Sequence, residues 1–360
     1  MKKVGILTFS RANNYGALLQ AYALKMALKN LGADAEMINY KAPSMEVWHN
    51  PNPFVNRGFK NFLKKILFFP AKLYVRRLFS PFMDKYLDGK STYSRAELPN
   101  LEKNYDCFIT GSDQVFNKNL TAGDDTYFLD FVKDGVKKYS YAASFGSSDF
   151  SKADRLRFKE LLKNFEKISL REESGADFVK NLLPGKETAL NLDPTLLLSK
   201  SEWSQIAKEP DNGDYILFYS ASNNEKIIKF LSKMSENTKL PIYYCDGSFL
   251  RKPLKSKHLL CTPQEWLGYF LKAKYVVTNS FHGLAFSINF NKDFFVDLLP
   301  PPSKVNARLE NLLKLTGLKG RLIDNIGDNY EEEISWGEVN SVMEKEREKS
   351  NNYLKEIITK

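Results

Sequence analysis

Short apolar runs alternate with longer amphipathic segments in the first half of the chain, and this alternation restricts the fold more than any other feature. Five runs predict strands: KVGILTF (3–9), AEMINY (35–40), YDCFITG (105–111), KKYSYAAS (137–144) and KISLR (167–171). The segment 16–32 has near-helical spacing and ends at Gly32, a residue type that tolerates the left-handed conformation after a helix. Further helices are predicted near 151–166 and 173–182. Strands separated by helices are typical of parallel βαβ units.

The same alternation starts again in the second half. Strands are predicted at DYILFYS (214–220), LPIYYC (240–245), AKYVVTNS (273–280) and KDFFVD (292–297), with helices near 224–235, 263–271 and 282–289. Pro194 interrupts regular structure between the two sets, so we expect the domain boundary at 195–200. A chain of 360 residues also exceeds the size that one core usually serves. We predict an α/β protein with two Rossmann-like domains, 1–195 and 196–330, and a C-terminal helix in 331–360 that packs back on the first domain.

The composition favours a globular protein of a reducing cytoplasm. With 43% apolar and 13% aromatic residues, the chain can bury two cores. The segment MKKVGILTFS has too short an apolar run for a secretory signal, and no run approaches the roughly 20 apolar residues that span a bilayer. Cys107, Cys245 and Cys261 are widely spaced and form no paired motif, which argues against a disulfide framework or a structural zinc site.

The net charge of +10 is unevenly distributed. An insert at about 47–90 contains a stretch, Val47–Met83, with seven basic residues, seven phenylalanines and no acidic residue. One interpretation is an amphipathic segment that lies on an anionic membrane or holds a lipid-linked substrate. The other is a helix whose aromatic residues fill a core while its basic residues face water, and helical periodicity does not separate the two. Nucleic acid is disfavoured because the basic residues belong to no known nucleic-acid motif.

Ligands of such sheets bind beyond the carboxyl ends of the strands, so the residues after each predicted strand are candidates. They lie in SRANNYG (10–16), TGSDQVFN (110–117), SFGSS (144–148), LREES (170–174) and TNSFHG (278–283). His282 follows a strand and opens a helix, where backbone N–H groups and the helix dipole favour an anion. This position, between Ser280 and Gly283, favours a functional role over a structural one.

Other candidates carry open alternatives. Arg171 could clamp a carboxylate or phosphate with two N–H groups, or form a salt bridge with Glu172 or Glu173. Asp113 could cap a helix or contact a substrate. Asn14, Gly16 and Gln20 follow the first strand, and Gly16 would allow the backbone to approach a ligand closely.

The sequence contains no G-x-G-x-x-G motif, no Walker lysine loop and no metal-ligand spacing, so nicotinamide, ATP and metal sites are disfavoured.

Taken in order, seven motifs resemble the polysaccharide pyruvyl transferase family. They are NNYGALLQAYAL, FITGSDQVFN, YAASFG, SLREESGADFV, LDPTLLL, VVTNSFHGLAFSINF and NARLENLL, within about 3–315. The resemblance implies two Rossmann-like domains that face each other across a cleft, as in B-type glycosyltransferases. It also implies transfer of pyruvate from phosphoenolpyruvate to a sugar of a surface polysaccharide or its lipid-linked precursor. In family members an arginine that binds phosphoenolpyruvate often stands two residues before the histidine, where this chain has Ser280; Arg308, Lys304 or Arg171 would then supply the charge.

The chemistry of this donor suggests roles for the candidates. Pyruvate ketal formation needs an acid that protonates the methylene carbon, and histidine is the usual group that titrates near neutral pH, so we expect His282 in this role. Asp113 or Glu172 would accept the hydroxyl proton. No step requires a metal or a redox cofactor. The predicted donor-binding residues are Arg171, Arg308, Ser280, Gly283, Asn14 and Gly16. The predicted acceptor-binding residues are Ser112 and Gln114.

Two other functions remain open. One is a nucleotide-sugar glycosyltransferase of polysaccharide synthesis, because a two-domain cleft would serve it equally well. The other is a carbohydrate-binding or assembly protein without catalytic activity, which the presence of Ser280 makes more plausible. In each case we expect a cytoplasmic protein, with peripheral contact to the inner face of the plasma membrane if the basic insert binds lipid.

Overall fold

The computed structural model describes residues 1–44, 59–133, 135–146, 149–245, 256–300, 306–326 and 330–359, with the backbone alone at 59–68 and 72. The chain divides into two compact units. The first unit consists of Met1–Leu197 and Arg347–Lys360, and the second of Leu198–Glu346. The division after Leu197 lies within the boundary region expected from Pro194.

The first unit contains a six-stranded sheet of order β2-β1-β3-β4-β5-β6, in which all pairs are parallel. The strands are β1 (Lys3–Leu7), β2 (Asp34–Met37), β3 (Cys107–Thr110), β4 (Lys137–Ala143), β5 (Lys167–Leu170) and β6 (Thr188–Leu190). β3 and β5 are buried along their whole length. Because a parallel sheet is covered on both faces, these strands carry apolar or small side chains, except for Lys167 at the start of β5, which is paired with Glu187 and Glu356.

Helices connect these strands. They are α1 (Tyr15–Asn30), α2 (Phe59–Tyr86), α3 (Lys118–Thr121), α4 (Lys152–Leu162) and α5 (Glu173–Leu182). Asn14 caps α1 by accepting a hydrogen bond from the N–H of Ala17 at 3.0 Å. Gly32 follows this helix with a φ of 91°, the left-handed conformation expected from the sequence. α4 starts with a reciprocal capping box between Ser151 and Asp154.

The second unit contains a five-stranded parallel sheet of order β11-β10-β7-β8-β9. Its strands are β7 (Ile216–Tyr219), β8 (Ile242–Cys245), β9 (Lys257–Leu259), β10 (Tyr275–Thr278) and β11 (Asp293–Val296). Its helices are α6 (Lys200–Ser204), α7 (Glu225–Thr238), α8 (Pro263–Lys272), α9 (Phe281–Asn289), α10 (Ala307–Leu315) and α11 (Ile323–Ile326). Two separate parallel sheets with intervening helices confirm the predicted pair of Rossmann-like domains.

Two observed strands were not predicted from the sequence. β6 and β9 have three residues each and lie at the edges of their sheets. Neither is fully buried, so neither shows the apolar run that marks the interior strands.

The last helix, α12 (Trp336–Thr359), contributes to both units, because the division falls at Arg347. Its C-terminal part belongs to the first unit and packs there through Ser350 and Tyr353. The Ser350 hydroxyl accepts a hydrogen bond from the N–H of Leu192 at 3.1 Å, and the Tyr353 hydroxyl donates to the carbonyl of Ser140 at 2.9 Å. Among the helices of the described residues, none is both long and apolar enough to cross a bilayer.

Candidate functional site

In the first unit, Arg171 lies at the centre of a buried polar cluster beyond the carboxyl ends of the strands. Its side chain is 2% exposed, and its NH1 group donates to Oδ2 of Asp193 at 2.6 Å. NH2 lies 3.4 Å from Oδ1 of Asp113, and Nε lies 4.0 Å from Oε2 of Glu172. Burial alone would lower the pKa of Arg171, but attraction by Asp193, Asp113 and Glu172 outweighs it and raises the pKa. The guanidinium is therefore the counter-charge of three carboxylates.

One alternative for Arg171 was a salt bridge with Glu172 or Glu173; Glu172 lies 4.0 Å away, whereas the shortest contact of Arg171 is with Asp193. Glu172 is the more distant carboxylate, and its Oε1 accepts a hydrogen bond from the hydroxyl of Ser144 at 2.5 Å. Asp193 also accepts hydrogen bonds from the N–H and hydroxyl of Thr195 at 3.0 and 2.8 Å. Sequence reasoning missed Asp193 because β6 was not predicted, so this residue was not recognised as following a strand.

Asp113 is the most exposed carboxylate of this cluster. Its side chain is 14% exposed, and its Oδ1 accepts a hydrogen bond from the N–H of Gln114 at 2.8 Å. No helix starts there, since α3 begins at Lys118, so Asp113 is not the helix cap that the sequence allowed. One cation among three carboxylates gives the cluster an excess of formal negative charge, which favours hydroxyl groups of a neutral ligand over an anion.

The predicted acceptor residues hold the loop after β3 in place. The hydroxyl of Ser112 donates to the carbonyl of Ala142 at 2.7 Å, and its N–H donates to Oε1 of Gln20 at 3.1 Å. Gln114 accepts a hydrogen bond from Nδ2 of Asn117 at 2.8 Å. A Cβ at Gly146 would lie 2.2 Å from Oε1 of Gln114, so the approach of these loops requires glycine. Any contact of Ser112 or Gln114 with an acceptor stays a prediction.

Asn14 and Gly16, predicted to contact the donor, belong to the start of α1. Asn14 is exposed and caps the helix, whereas Gly16 is buried in its first turn. Their visible role is to set the start of this helix after β1, and a ligand contact by either stays a prediction.

In the second unit, Asn279 holds two strand ends together. It directly follows β10, and its Oδ1 accepts hydrogen bonds from the N–H of Ala221 at 2.8 Å and the hydroxyl of Ser220 at 3.0 Å. Its Nδ2 donates to the carbonyl of Ser222 at 2.6 Å. Asn279, a residue of the TNSFHG stretch for which no role was predicted, therefore fixes the loop after β7.

Gly283 is required by the close approach of α9 to β10. The hydroxyl of Thr278 donates to the carbonyl of Tyr219 at 2.6 Å and accepts from the N–H of Ser280 at 3.0 Å. A Cβ at Gly283 would lie 2.1 Å from this hydroxyl oxygen. Ser280 is the N-cap residue of α9, but its side chain makes no capping hydrogen bond. The residues of this turn therefore have a packing role, whether or not they also bind a ligand.

His282 lies in the first turn of α9 and is buried. The ring of Phe281 lies 5.3 Å from the His282 ring, and the guanidinium of Arg308, on α10, lies 5.8 Å from the centroid of Phe281. The structure therefore brings Ser280, His282, Gly283 and Arg308 to one region of the second unit. Arg171, Asp113, Ser112 and Gln114 come together in the first unit. Lys304 lies outside the described residues.

Several solved structures align over most of this chain at low identity. UDP-GlcNAc 2-epimerase of Methanocaldococcus jannaschii, in complex with UDP-GlcNAc and UDP, is 14% identical, with 100% of this chain and 99% of that chain covered and a TM-score of 0.49. Anabaena Alr3699/HepE, in complex with UDP and glucose, is 8% identical, with full coverage of both chains and a TM-score of 0.49. E. coli heptosyltransferase WaaC with ADP is 11% identical, with 84% and 89% covered and a TM-score of 0.39. These similarities concern the fold only.

The sequence itself gives a more specific result. No curated protein matches it significantly. The model of the polysaccharide pyruvyl transferase family, however, matches residues 14–296, a span that includes Asp113, Arg171 and His282 and extends through β11. This match covers more than half of the chain. The protein belongs to the polysaccharide pyruvyl transferase family.

Proposed function

We propose that the protein transfers the pyruvyl group of phosphoenolpyruvate to a sugar of a surface polysaccharide, or of its lipid-linked precursor, as a cyclic ketal. The position of Arg308 over Phe281 is the observation that carries this proposal, because it places a permanent positive charge 5.8 Å from the ring of the residue that precedes His282. This charge would replace that of the arginine which family members often have where this chain has Ser280.

The donor is best assigned to the second unit. Phosphoenolpyruvate carries a phosphate and a carboxylate, which bind well to guanidinium groups and to the N–H groups of a helix start. Arg308 and the first turn of α9 supply these two features. We expect Arg308→Ala to weaken phosphoenolpyruvate binding, measured by calorimetry, by about 1.5 to 3 kcal/mol, the range for hydrogen bonds to charged groups. The effect of Arg171→Ala should be smaller, because three internal carboxylates already balance that charge.

The acceptor is best assigned to the carboxylates of the first unit. Their excess negative charge disfavours a second anion, whereas ionised carboxylates accept hydrogen bonds from sugar hydroxyls. Asp113 is the most exposed of them, so we propose it as the group that accepts the hydroxyl proton, with Glu172 as the alternative.

The reaction follows from these assignments. His282 donates a proton to the methylene carbon of phosphoenolpyruvate, and the adjacent carbon gains cationic character. One sugar hydroxyl adds to that carbon and loses its proton to the carboxylate. The bond between this carbon and the phosphate oxygen then breaks, phosphate leaves with one proton, and a neighbouring hydroxyl adds to close the ketal. Two protons leave the hydroxyls: the one held by the carboxylate leaves with the phosphate, and the other returns to His282, where it replaces the proton given to carbon.

Phosphate release tests the proposal directly. The purified protein is incubated with phosphoenolpyruvate and a panel of free and lipid-linked sugars, and the ketal is identified by mass spectrometry. We expect release that requires both substrates, and its loss by orders of magnitude in His282→Gln with phosphoenolpyruvate affinity largely retained. The matched control is His258→Gln, a histidine of β9 that stacks on Tyr244 at 5.5 Å and should leave turnover unchanged.

Three results would contradict the proposal. Near-normal turnover in a folded His282→Gln variant removes this residue from the mechanism. Release of nucleotide from nucleotide sugars, without any reaction of phosphoenolpyruvate, would identify a glycosyltransferase. Sugar binding without turnover of either donor would identify a carbohydrate-binding protein.

A further inference from the structure

Helix α2 has one face buried against the first unit. Phe79 and Phe82 are fully buried; the ring of Phe79 lies 4.8 Å from that of Tyr15, and the ring of Phe82 lies 5.9 Å from that of Tyr22. Aromatic residues of the basic insert therefore do fill a core, as one interpretation of the sequence predicted. These contacts fix the C-terminal part of α2 on α1.

The other face of α2 carries exposed aromatic residues. Phe69 is 37% exposed and Tyr74 is 45% exposed. At about 100° per residue, Arg77 lies between these two on the helix surface, opposite Phe79 and Phe82. Arg76 and Arg77 are both exposed.

Exposed aromatic side chains are rare among the described residues. Six large apolar side chains are exposed among the described residues, and Phe69 and Tyr74 are the two aromatic ones. An exposed aromatic surface beside arginines matches the apolar and cationic faces of helices that lie at a membrane interface.

The positive charge of Val47–Met83 indicates an anionic partner for this face of α2. No carboxylate occurs from Val47 to Met83, whereas seven basic residues do. A second copy of this face would repel the first, since both carry the same charge. An anionic lipid surface attracts the arginines and also accepts the aromatic rings between its headgroups.

We propose that this face of α2, defined by Phe69, Tyr74, Arg76 and Arg77, binds the surface of an anionic phospholipid membrane. The contact is peripheral, because the opposite face of the helix is held by Phe79 and Phe82 in the first unit. The interaction does not depend on which reaction the protein catalyses.

Sedimentation with vesicles tests this surface. The wild-type protein should sediment with phosphatidylcholine vesicles that contain phosphatidylglycerol, but not with pure phosphatidylcholine, and less at high salt. Arg76→Glu/Arg77→Glu should lower the partition coefficient by about 30-fold or more, because each basic residue near such a surface contributes about fivefold. Phe69→Ser/Tyr74→Ser should lower the binding that persists at high salt.

The matched control changes the same net charge elsewhere. Lys103→Glu/Lys152→Glu reverses two exposed lysines of the first unit that lie outside α2, and it should leave sedimentation nearly unchanged. An equal loss in this control would show attraction by net charge alone and overturn the proposal. So would a wild-type protein that ignores anionic vesicles at low salt, or that binds equally after Arg76→Glu/Arg77→Glu. Circular dichroism verifies that each variant is folded, and activity on a soluble acceptor should survive all of them.

Discussion

The ion pair between Arg171 and Asp193 should contribute far more to stability than an equally short pair at the surface. In Asp193→Ala, Arg171 stays buried but loses its 2.6 Å partner. Removing one partner of a buried pair typically costs about 3 to 5 kcal/mol, because a charge is left without compensation. Asp113, at 3.4 Å from NH2, and Glu172, at 4.0 Å from Nε, would still offset part of that charge, so we expect a loss of about 3 kcal/mol, the lower end of this range.

Arg95 and Asp130 provide the comparison within the same unit. Two hydrogen bonds of 2.5 Å join them, but the side chain of Arg95 is 46% exposed and that of Asp130 is 24% exposed. Water and salt screen such a pair, and exposed pairs contribute about 0 to 1 kcal/mol. Asp130→Ala should therefore lower the free energy of unfolding by less than about 1 kcal/mol, despite the shorter contact.

Urea unfolding followed by circular dichroism measures both variants against the wild type. Both substitutions lie in the first unit, so they act on the same transition, and the slopes of free energy against urea verify that the transition is comparable. Equal losses in the two variants would refute the reasoning, because they would show that distance, and not burial, sets the contribution. A loss below about 1 kcal/mol in Asp193→Ala would show that Arg171 is well compensated without it.

Three further predictions concern other parts of the molecule. The hydrogen bond from Lys118 lowers the pKa of Asp154 from 3.8 to about 2. The stabilisation by the ionised Asp154 should therefore be complete above pH 3.8 and lost as the pH falls towards 2. Over that pH range, the unfolding midpoints of the wild type and of Asp154→Asn should converge. The sulfur atoms of Cys245 and Cys261 lie 3.3 Å apart, so diamide, which takes two electrons and two protons from a thiol pair, should join them in a disulfide bond. Thiol titration should then show two thiol groups lost in the wild type and none in Cys245→Ser. Gly283→Ala should weaken phosphoenolpyruvate binding and destabilise the protein by about 1 to 3 kcal/mol, because the new methyl group overpacks the start of α9; unchanged calorimetry and unfolding would show that the helix can shift.

The interior strands could be predicted because burial on both faces leaves a plain signal. Strands such as β3 (CFIT) and β10 (YVVT) are buried along their whole length, because helices cover both faces of a parallel sheet. The edge strands β6 and β9 lack this constraint. Missing β6 had a consequence for the site, because the pairing of β5 with β6 is what brings Asp193 to Arg171, 22 residues before it.

The basic insert illustrates a second limit of prediction from the sequence. Helical periodicity did not separate a core face from a membrane face, and the described part of α2 has both a buried and an exposed aromatic face. Phe79 and Phe82 are buried whereas Phe69 is exposed, although all three are phenylalanines in the same helix. Residue type alone does not separate them; the position of α1 decides which side of the helix is covered.

Ser280, which stands where family members often have an arginine, leaves the N-cap of α9 without a positively charged side chain. The helix dipole at the start of α9 is worth typically about 0.3 to 1 kcal/mol for an anion, less than the 1.5 to 3 kcal/mol of a hydrogen bond to a charged group. Serine at the N-cap adds no charge, so a donor with both a phosphate and a carboxylate needs a cation from another element. Arg308 comes from α10, and its guanidinium lies 5.8 Å from the Phe281 ring, within the range of a cation–π contact. If phosphoenolpyruvate is the donor, the charge at its site comes from the first turn of α10 and not from the N-cap of α9, where family members often have the arginine.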